Sequence, residues 1–193
     1  MSSNNKHDIS IVPWYHWPHM IIATGLWTGF WPWGPGTLAG FCGLLIWIGL
    51  FKLLTPFALV VATAILVIGT LVIGVWTDNV MEEYWGEDPR TVVIDEFFGT
   101  WIACIAALYC ESPAYLTIIY AVIAFVLFRI IDMTKPLGCR WLDENIHGGW
   151  GCMLDDALAG FYAIIITLIL RYYNVAQLIH DNIVPLLPKW MQL

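Results

Sequence analysis

Apolar residues fall in five long blocks, at 37–53, 56–77, 92–110, 113–132 and 156–173. Each approaches the roughly 20 residues that a helix needs to cross about 30 Å of hydrocarbon. The pattern predicts an all-α fold, a multi-pass membrane helical bundle of about five spans. A further apolar stretch, 19–33, is broken by Gly25, Gly29 and Pro32 and is rich in Trp. That suits an N-terminal interfacial or re-entrant segment better than a span. Two polar connectors, 78–90 and 134–153, separate the blocks, and no linker or repeat divides the chain, so residues 1–193 read as a single membrane-embedded domain. Residues 1–18 form a polar N-terminal segment. The tail 174–193, with its Leu, Ile and Trp beside Lys189, is expected to lie peripherally along the opposite membrane surface. Met1 to Val12 lack an apolar core with a small-residue cleavage site, so no removable signal peptide is expected.

Composition narrows the partner. Of 193 residues, 60% are hydrophobic and only 12% charged, with a mean hydropathy of +0.73, outside the balance of a soluble domain. A net charge of −7 with eight Lys and Arg excludes nucleic acid, whose phosphates require basic stripes. Lipid or a small solute is the partner class, and the chain leaves room for a homo-oligomer. Cys42, Cys104, Cys110, Cys139 and Cys152 show no CxxC spacing and read as reduced packing residues. Cys139, His147 and Cys152 match no common zinc spacing and lack a fourth ligand. With a cytoplasmic N-terminus, Lys6, Arg90, Arg129, Lys135 and Arg140 fall inside and Lys52, Arg171 and Lys189 outside, which follows the positive-inside bias.

On this topology alternate helix ends share one membrane face, and the polar groups converge there. Gly34-Pro35-Gly36-Thr37 opens the first span, Asp78 closes the second and Asp95-Glu96 begins the third. Arg129, Asp132 and Lys135 end the fourth, and Asp155-Asp156 begin the fifth. An unpaired charge at membrane depth costs roughly 2.5–3.5 kcal/mol on insertion scales, so these groups should pair or bind something. Mg²⁺ suits them, because it takes oxygen ligands and commonly bridges one or two carboxylates to a substrate phosphate. Neighbouring acids point about 100° apart on a helix, so within each acidic pair one is a candidate ligand and the other a base or support. Arg129 and Asp132, three apart, share a helix face, and Lys135 precedes the terminating Pro136. Together they offer a phosphate grip. The Gly-Pro-Gly-Thr turn can cradle an anion with free N–H groups and the Thr37 hydroxyl.

Plainer readings exist for each feature alone. Arg129 with Asp132 could be only an intramembrane ion pair, and Asp155 with Asp156 only a cap and first-turn acid. Glu82, Glu83, Glu87 and Asp88 read as a solvated face, and His16, His19 and His147 as interfacial or core histidines. The clustering of charge at one face is what favours a site.

Four stretches, taken in order, resemble the bacterial phosphatidylglycerophosphatase A family. They are Gly34-Pro35-Gly36-Thr37, Val92 to Gly99 (VVIDEFFG), Phe128 to Pro136 (FRIIDMTKP) and His147 to Gly160 (HGGWGCMLDDALAG). The resemblance implies a Mg²⁺-dependent phosphatase of the bacterial inner membrane, its site facing the cytoplasm, that converts phosphatidylglycerophosphate to phosphatidylglycerol. On matching positions it implies Asp95, Glu96, Asp132, Asp155 and Asp156 as metal and catalytic acids, with Thr37, Arg129 and Lys135 on phosphate. Attack by water is the expected chemistry, since neither a DxDx[TV] nor a Cys-x5-Arg signature is present. The alternative is a cation transporter or channel using the same intramembrane acids.

Overall fold

The computed structural model describes residues 8–86, 89–108, 113–136 and 138–183. These form eight α-helices: α1 (Trp17–Ala23), α2 (Pro35–Leu53), α3 (Pro56–Trp85), α4 (Ile94–Cys104), α5 (Ala114–Thr134), α6 (Cys139–Asn145), α7 (Gly149–Tyr172) and α8 (Val175–Ile183). No strand occurs among the described residues.

Local sequence sets the boundaries. Pro35 and Pro56 occupy the first turns of α2 and α3, where the missing N–H costs nothing, and the Thr55 side chain accepts the Ala58 N–H at 3.4 Å. Pro113 precedes α5, which ends at Lys135 in a left-handed conformation just before Pro136.

Four helices, α2, α3, α5 and α7, are long and apolar enough to cross a membrane. They expose apolar side chains outward, among them Phe57, Ile65, Ile68 and Val72 of α3, as a lipid-facing surface requires. The third apolar block behaves differently from the expectation of a span. It forms the 11-residue α4, about 16 Å long, followed by a single 3₁₀ turn at Ile105–Ala107. Eight of those 11 residues are buried, because α4 is enclosed by α2, α3, α5 and α7. An apolar run of this length does not reveal whether lipid or protein surrounds it. The bundle is therefore four long helices around one short central one. The interior is tied by Trp101 Nε1 donating to the Gly43 carbonyl at 3.0 Å and Trp47 Nε1 to Thr63 Oγ1 at 3.0 Å.

The N-terminal apolar stretch folds as α1 and a 3₁₀ turn at Thr28–Phe30, joined through Gly25, Leu26 and Trp27, all at positive φ. It packs beside the C-terminal half of α3, with the His19 ring edge-on to Trp76 and the Val93 N–H donating to the Ala23 carbonyl at 2.8 Å. Exposed Trp14, Trp31 and Trp33 fit the interfacial placement expected for this segment. The tail turns at Asn174 and folds back as α8 against the start of α5, where His180 stacks on Tyr115 at 4.0 Å. Residues 184–193, Lys6, Glu87, Asp88 and Cys110 lie outside the described residues.

Candidate active site

Five helix ends meet at one end of the bundle: the starts of α2, α4 and α7 and the finishes of α3 and α5. The described charged residues that are buried, Asp78, Asp155 and Asp156, all lie there. A cavity of about 360 Å³ opens between them, lined by Asp78 and Glu82 of α3, Asp95 of α4, Asp132 and Lys135 from α5, and Cys152, Asp155 and Asp156 of α7. Glu144, Ile146, His147, Gly148 and Gly151 close its rim.

Within this wall Asp132, Asp155 and Asp156 each offer a carboxylate oxygen within 4.8 Å of the others. Among the described residues theirs is the group of three or more potential ligands whose atoms converge in this way. Asp156 Oδ2 and Asp95 Oδ1 are buried without a hydrogen-bond partner. Buried carboxylate oxygens normally find donors, so these vacant lone pairs, with three acids crowded together, fit an oxygen-seeking divalent cation. Lys135 Nζ donates to Asp155 Oδ2 at 2.7 Å, and the Cys152 thiol donates to Asp95 Oδ2 at 3.1 Å.

Beside the cavity lies a second layer of charge. Arg129 Nη1 bridges Glu96 and Asp132, the latter at 2.9 Å, while Nη2 donates to Thr37 Oγ1 at 3.3 Å. The spacing-based expectation that Arg129 and Asp132 share a face holds. Glu96 and Thr37 do not line the cavity; they flank it through Arg129. Gly36 makes this possible, because a Cβ there would sit 1.9 Å from Glu96 Oε1.

Of Cys139, His147 and Cys152, the last two line the cavity and Cys139 lies outside its lining. Cys139 is buried beside Ala103 and Phe128, and burial raises its thiol pKa, with Asp155 and Asp132 adding to the effect. Cys152 faces Asp95 rather than serving as packing. Sequence reasoning also missed Glu82, assigned to a solvated face, and His147, assigned to core or interface. Glu82 lies four residues after Asp78, on the same helix face, and that spacing could have revealed it. Asn79 was not singled out; its Oδ1 accepts the Gly149 N–H at 2.8 Å and fixes the start of α7 to α3.

The result is an all-helical bundle of membrane-spanning length that gathers carboxylates, a lysine and an arginine at one end. The Phosphatidylglycerophosphatase A family model matches residues 21–171, and the chain belongs to that family. It is a phosphatase. A Phosphatidylglycerophosphatase A of Escherichia coli is 32% identical over 149 residues, 77% of this chain and 77% of that protein. The Haemophilus influenzae protein of the same name is 31% identical over 157 residues, 81% and 90% of the two chains. A Bacteroides thetaiotaomicron protein, provisionally named as a phosphatidylinositol-3-phosphatase, is 42% identical over 153 residues, 79% of this chain and 93% of that one. No solved structure matches the chain significantly.

Proposed function

We propose that this phosphatase hydrolyses the terminal phosphomonoester of phosphatidylglycerophosphate to phosphatidylglycerol and phosphate, assisted by Mg²⁺, at the cytoplasmic face of a bacterial inner membrane. The observation that carries this reading is the cavity in which Asp132, Asp155 and Asp156 converge beside Lys135, a cation site and an anion site sharing one wall. Asp132, Asp155 and Asp156 would hold the metal. A bound divalent ion there supplies Lewis-acid polarisation of the phosphoryl oxygens.

The chain's own groups do the rest. Asp95, on the cavity wall with Oδ1 free of any hydrogen bond, takes a proton from the attacking water. Lys135 shifts from Asp155 toward the transferring group and offsets its charge, and Arg129 holds Asp132 in place from behind. Glu96 keeps Arg129 oriented through its ion pair. A transport pathway would need charged groups along the bundle axis. Toward the far end the buried side chains among the described residues are uncharged, Trp47, Leu59, Leu116 and Tyr120 with Thr63 and Thr117, which favours hydrolysis.

Phosphate release from short-chain phosphatidylglycerophosphate by purified protein, with and without Mg²⁺, tests the proposal. Phosphatidylinositol 3-phosphate serves as the parallel substrate because of the Bacteroides relative's name. Mg²⁺-dependent turnover several-fold faster on phosphatidylglycerophosphate supports it; preference for the inositol lipid, or turnover unaffected by a chelator, sinks it.

A further inference from the structure

Hydrolysis of an alkyl phosphomonoester needs two proton movements, and the groups assigned above account for one of them. Water gives up a proton as it attacks phosphorus. The departing alkyl oxygen, a poor leaving group as an alkoxide, must gain one as its bond to phosphorus breaks. Lys135 is assigned to the charge of the transferring group, Asp95 with the Cys152 thiol on it to the water, and the converging acids are the proposed ligands. Of the other titratable side chains on the lining, Asp78, Glu82, Glu144 and His147, a carboxylate accepts hydrogen bonds whereas an imidazole carries an N–H to donate. Among the described residues His147 is the imidazole that lines the cavity: His16 and His19 sit in the aromatic cluster beside α3, and His180 stacks on Tyr115 near the far end.

Its setting is that of a held donor. His147 is an exposed residue on the lining of the cavity that also holds the acids. The backbone that follows is pinned twice, by the Gly149 N–H on Asn79 Oδ1 at 2.8 Å and by the Gly151 N–H on the Gly148 carbonyl at 2.9 Å. A rim position suits the leaving group, since the alcohol product is the part of the substrate that must exit toward the lipid while the phosphoryl group sits deep against the cation site. An imidazole carries an N–H to donate and a second nitrogen through which a proton can be replaced.

We propose that His147 is the proton donor to the leaving oxygen, positioned by Asn79 through the Gly148–Gly149 turn; this rests on the phosphomonoesterase reading above. In the step, the water oxygen bonds to phosphorus, the phosphorus–oxygen bond to the alcohol breaks, and the imidazolium proton passes to that oxygen. The water proton goes to the carboxylate base and returns to the imidazole through solvent, so one water is consumed and one alcohol and one phosphate are released.

The test compares two substrates in full-length protein with Mg²⁺: short-chain phosphatidylglycerophosphate, and its analogue with sulfur replacing the bridging ester oxygen. A thiolate leaves without protonation. His147→Gln should lose roughly 10²–10⁴-fold in kcat on the oxygen ester and stay within a few-fold of the unsubstituted protein on the sulfur ester. His147→Ala should regain turnover on the oxygen ester when imidazole is added. Asn79→Ala should show a smaller loss with the same preference for sulfur. Equal losses on both esters would assign His147 a merely structural part, and unchanged turnover would remove it from the reaction; either overturns the inference. If the unsubstituted protein releases no phosphate from the oxygen ester, the phosphomonoesterase reading itself fails, an outcome distinct from those two.

Discussion

Arg129 holds two carboxylates at once, Glu96 and Asp132, with all three side chains largely withdrawn from water. Removing one partner of such a group leaves buried charge uncompensated, which costs about 3–5 kcal/mol. Arg129→Ala should therefore lower the thermal midpoint in detergent sharply. Arg129→Lys should restore part of that loss, since a lysine supplies charge without the planar fork. Equal midpoints for Arg129→Ala and the unsubstituted protein would remove the bridge from the account. Asp156 poses the opposite case, because its carboxylate is crowded by Asp132 and Asp155. Asp156→Asn relieves like-charge repulsion, so with chelator present it should be at least as stable as the unsubstituted protein. It should lose both phosphate release and the rise in thermal midpoint that Mg²⁺ confers by binding the folded state. A retained Mg²⁺-dependent rise would take Asp156 out of the cation site. At this scale Asp95, Asp132 and Asp156 were legible because a charge inside an apolar block demands an explanation, whereas Glu82 lies in a polar connector. His147 and Cys152 were not legible either, since neither residue type is costly where it stands and only the fold brings them to the cavity.

Helix ends explain how these side chains meet, and two glycines set how closely. At Gly149 an added Cβ would lie 2.4 Å from the Val75 carbonyl oxygen and 2.8 Å from its Cα, so the obstacle is the backbone of α3. At Gly36 the obstacle is the Glu96 carboxylate, the end of a side chain that can swing aside. The two substitutions should separate. Gly149→Ala should lower thermal stability, because helix backbone cannot move out of the way. Gly36→Ala should lower the midpoint less than Gly149→Ala does, since Arg129 keeps Asp132 when Glu96 moves, and should reduce turnover by displacing Glu96 from Arg129. Thermal denaturation and phosphate release measured on both variants check this; the reverse ranking would mean that the α3–α7 contact is looser than its geometry. The long helices were legible from their apolar runs and their Pro and Gly punctuation. The shortness of α4 was not. Its sequence is as apolar as a span, and only the four helices around it reveal that protein takes the place of lipid.

Across the whole molecule, charge asymmetry carries the proposed orientation of the bundle in its membrane. Arg90, Arg129, Lys135 and Arg140 belong to the cavity end, whereas Lys52 and Arg171 occupy the last turns of α2 and α7 at the other. Basic residues near span ends tend to stay on the cytoplasmic side, so the orientation proposed above predicts the cavity inward and α8 outward. Two exposed positions can report this: Glu144 at the cavity rim and Asp181 in α8. In a background with the native cysteines replaced, Asp181→Cys should react with a membrane-impermeant maleimide in intact spheroplasts. Glu144→Cys should react only once the membrane is permeabilised or inverted. The opposite pattern would overturn the proposed cytoplasmic placement of the site. Labelling of both positions from one side would be more damaging, because the convergence of five helix ends at a single face depends on the chain crossing the membrane between them.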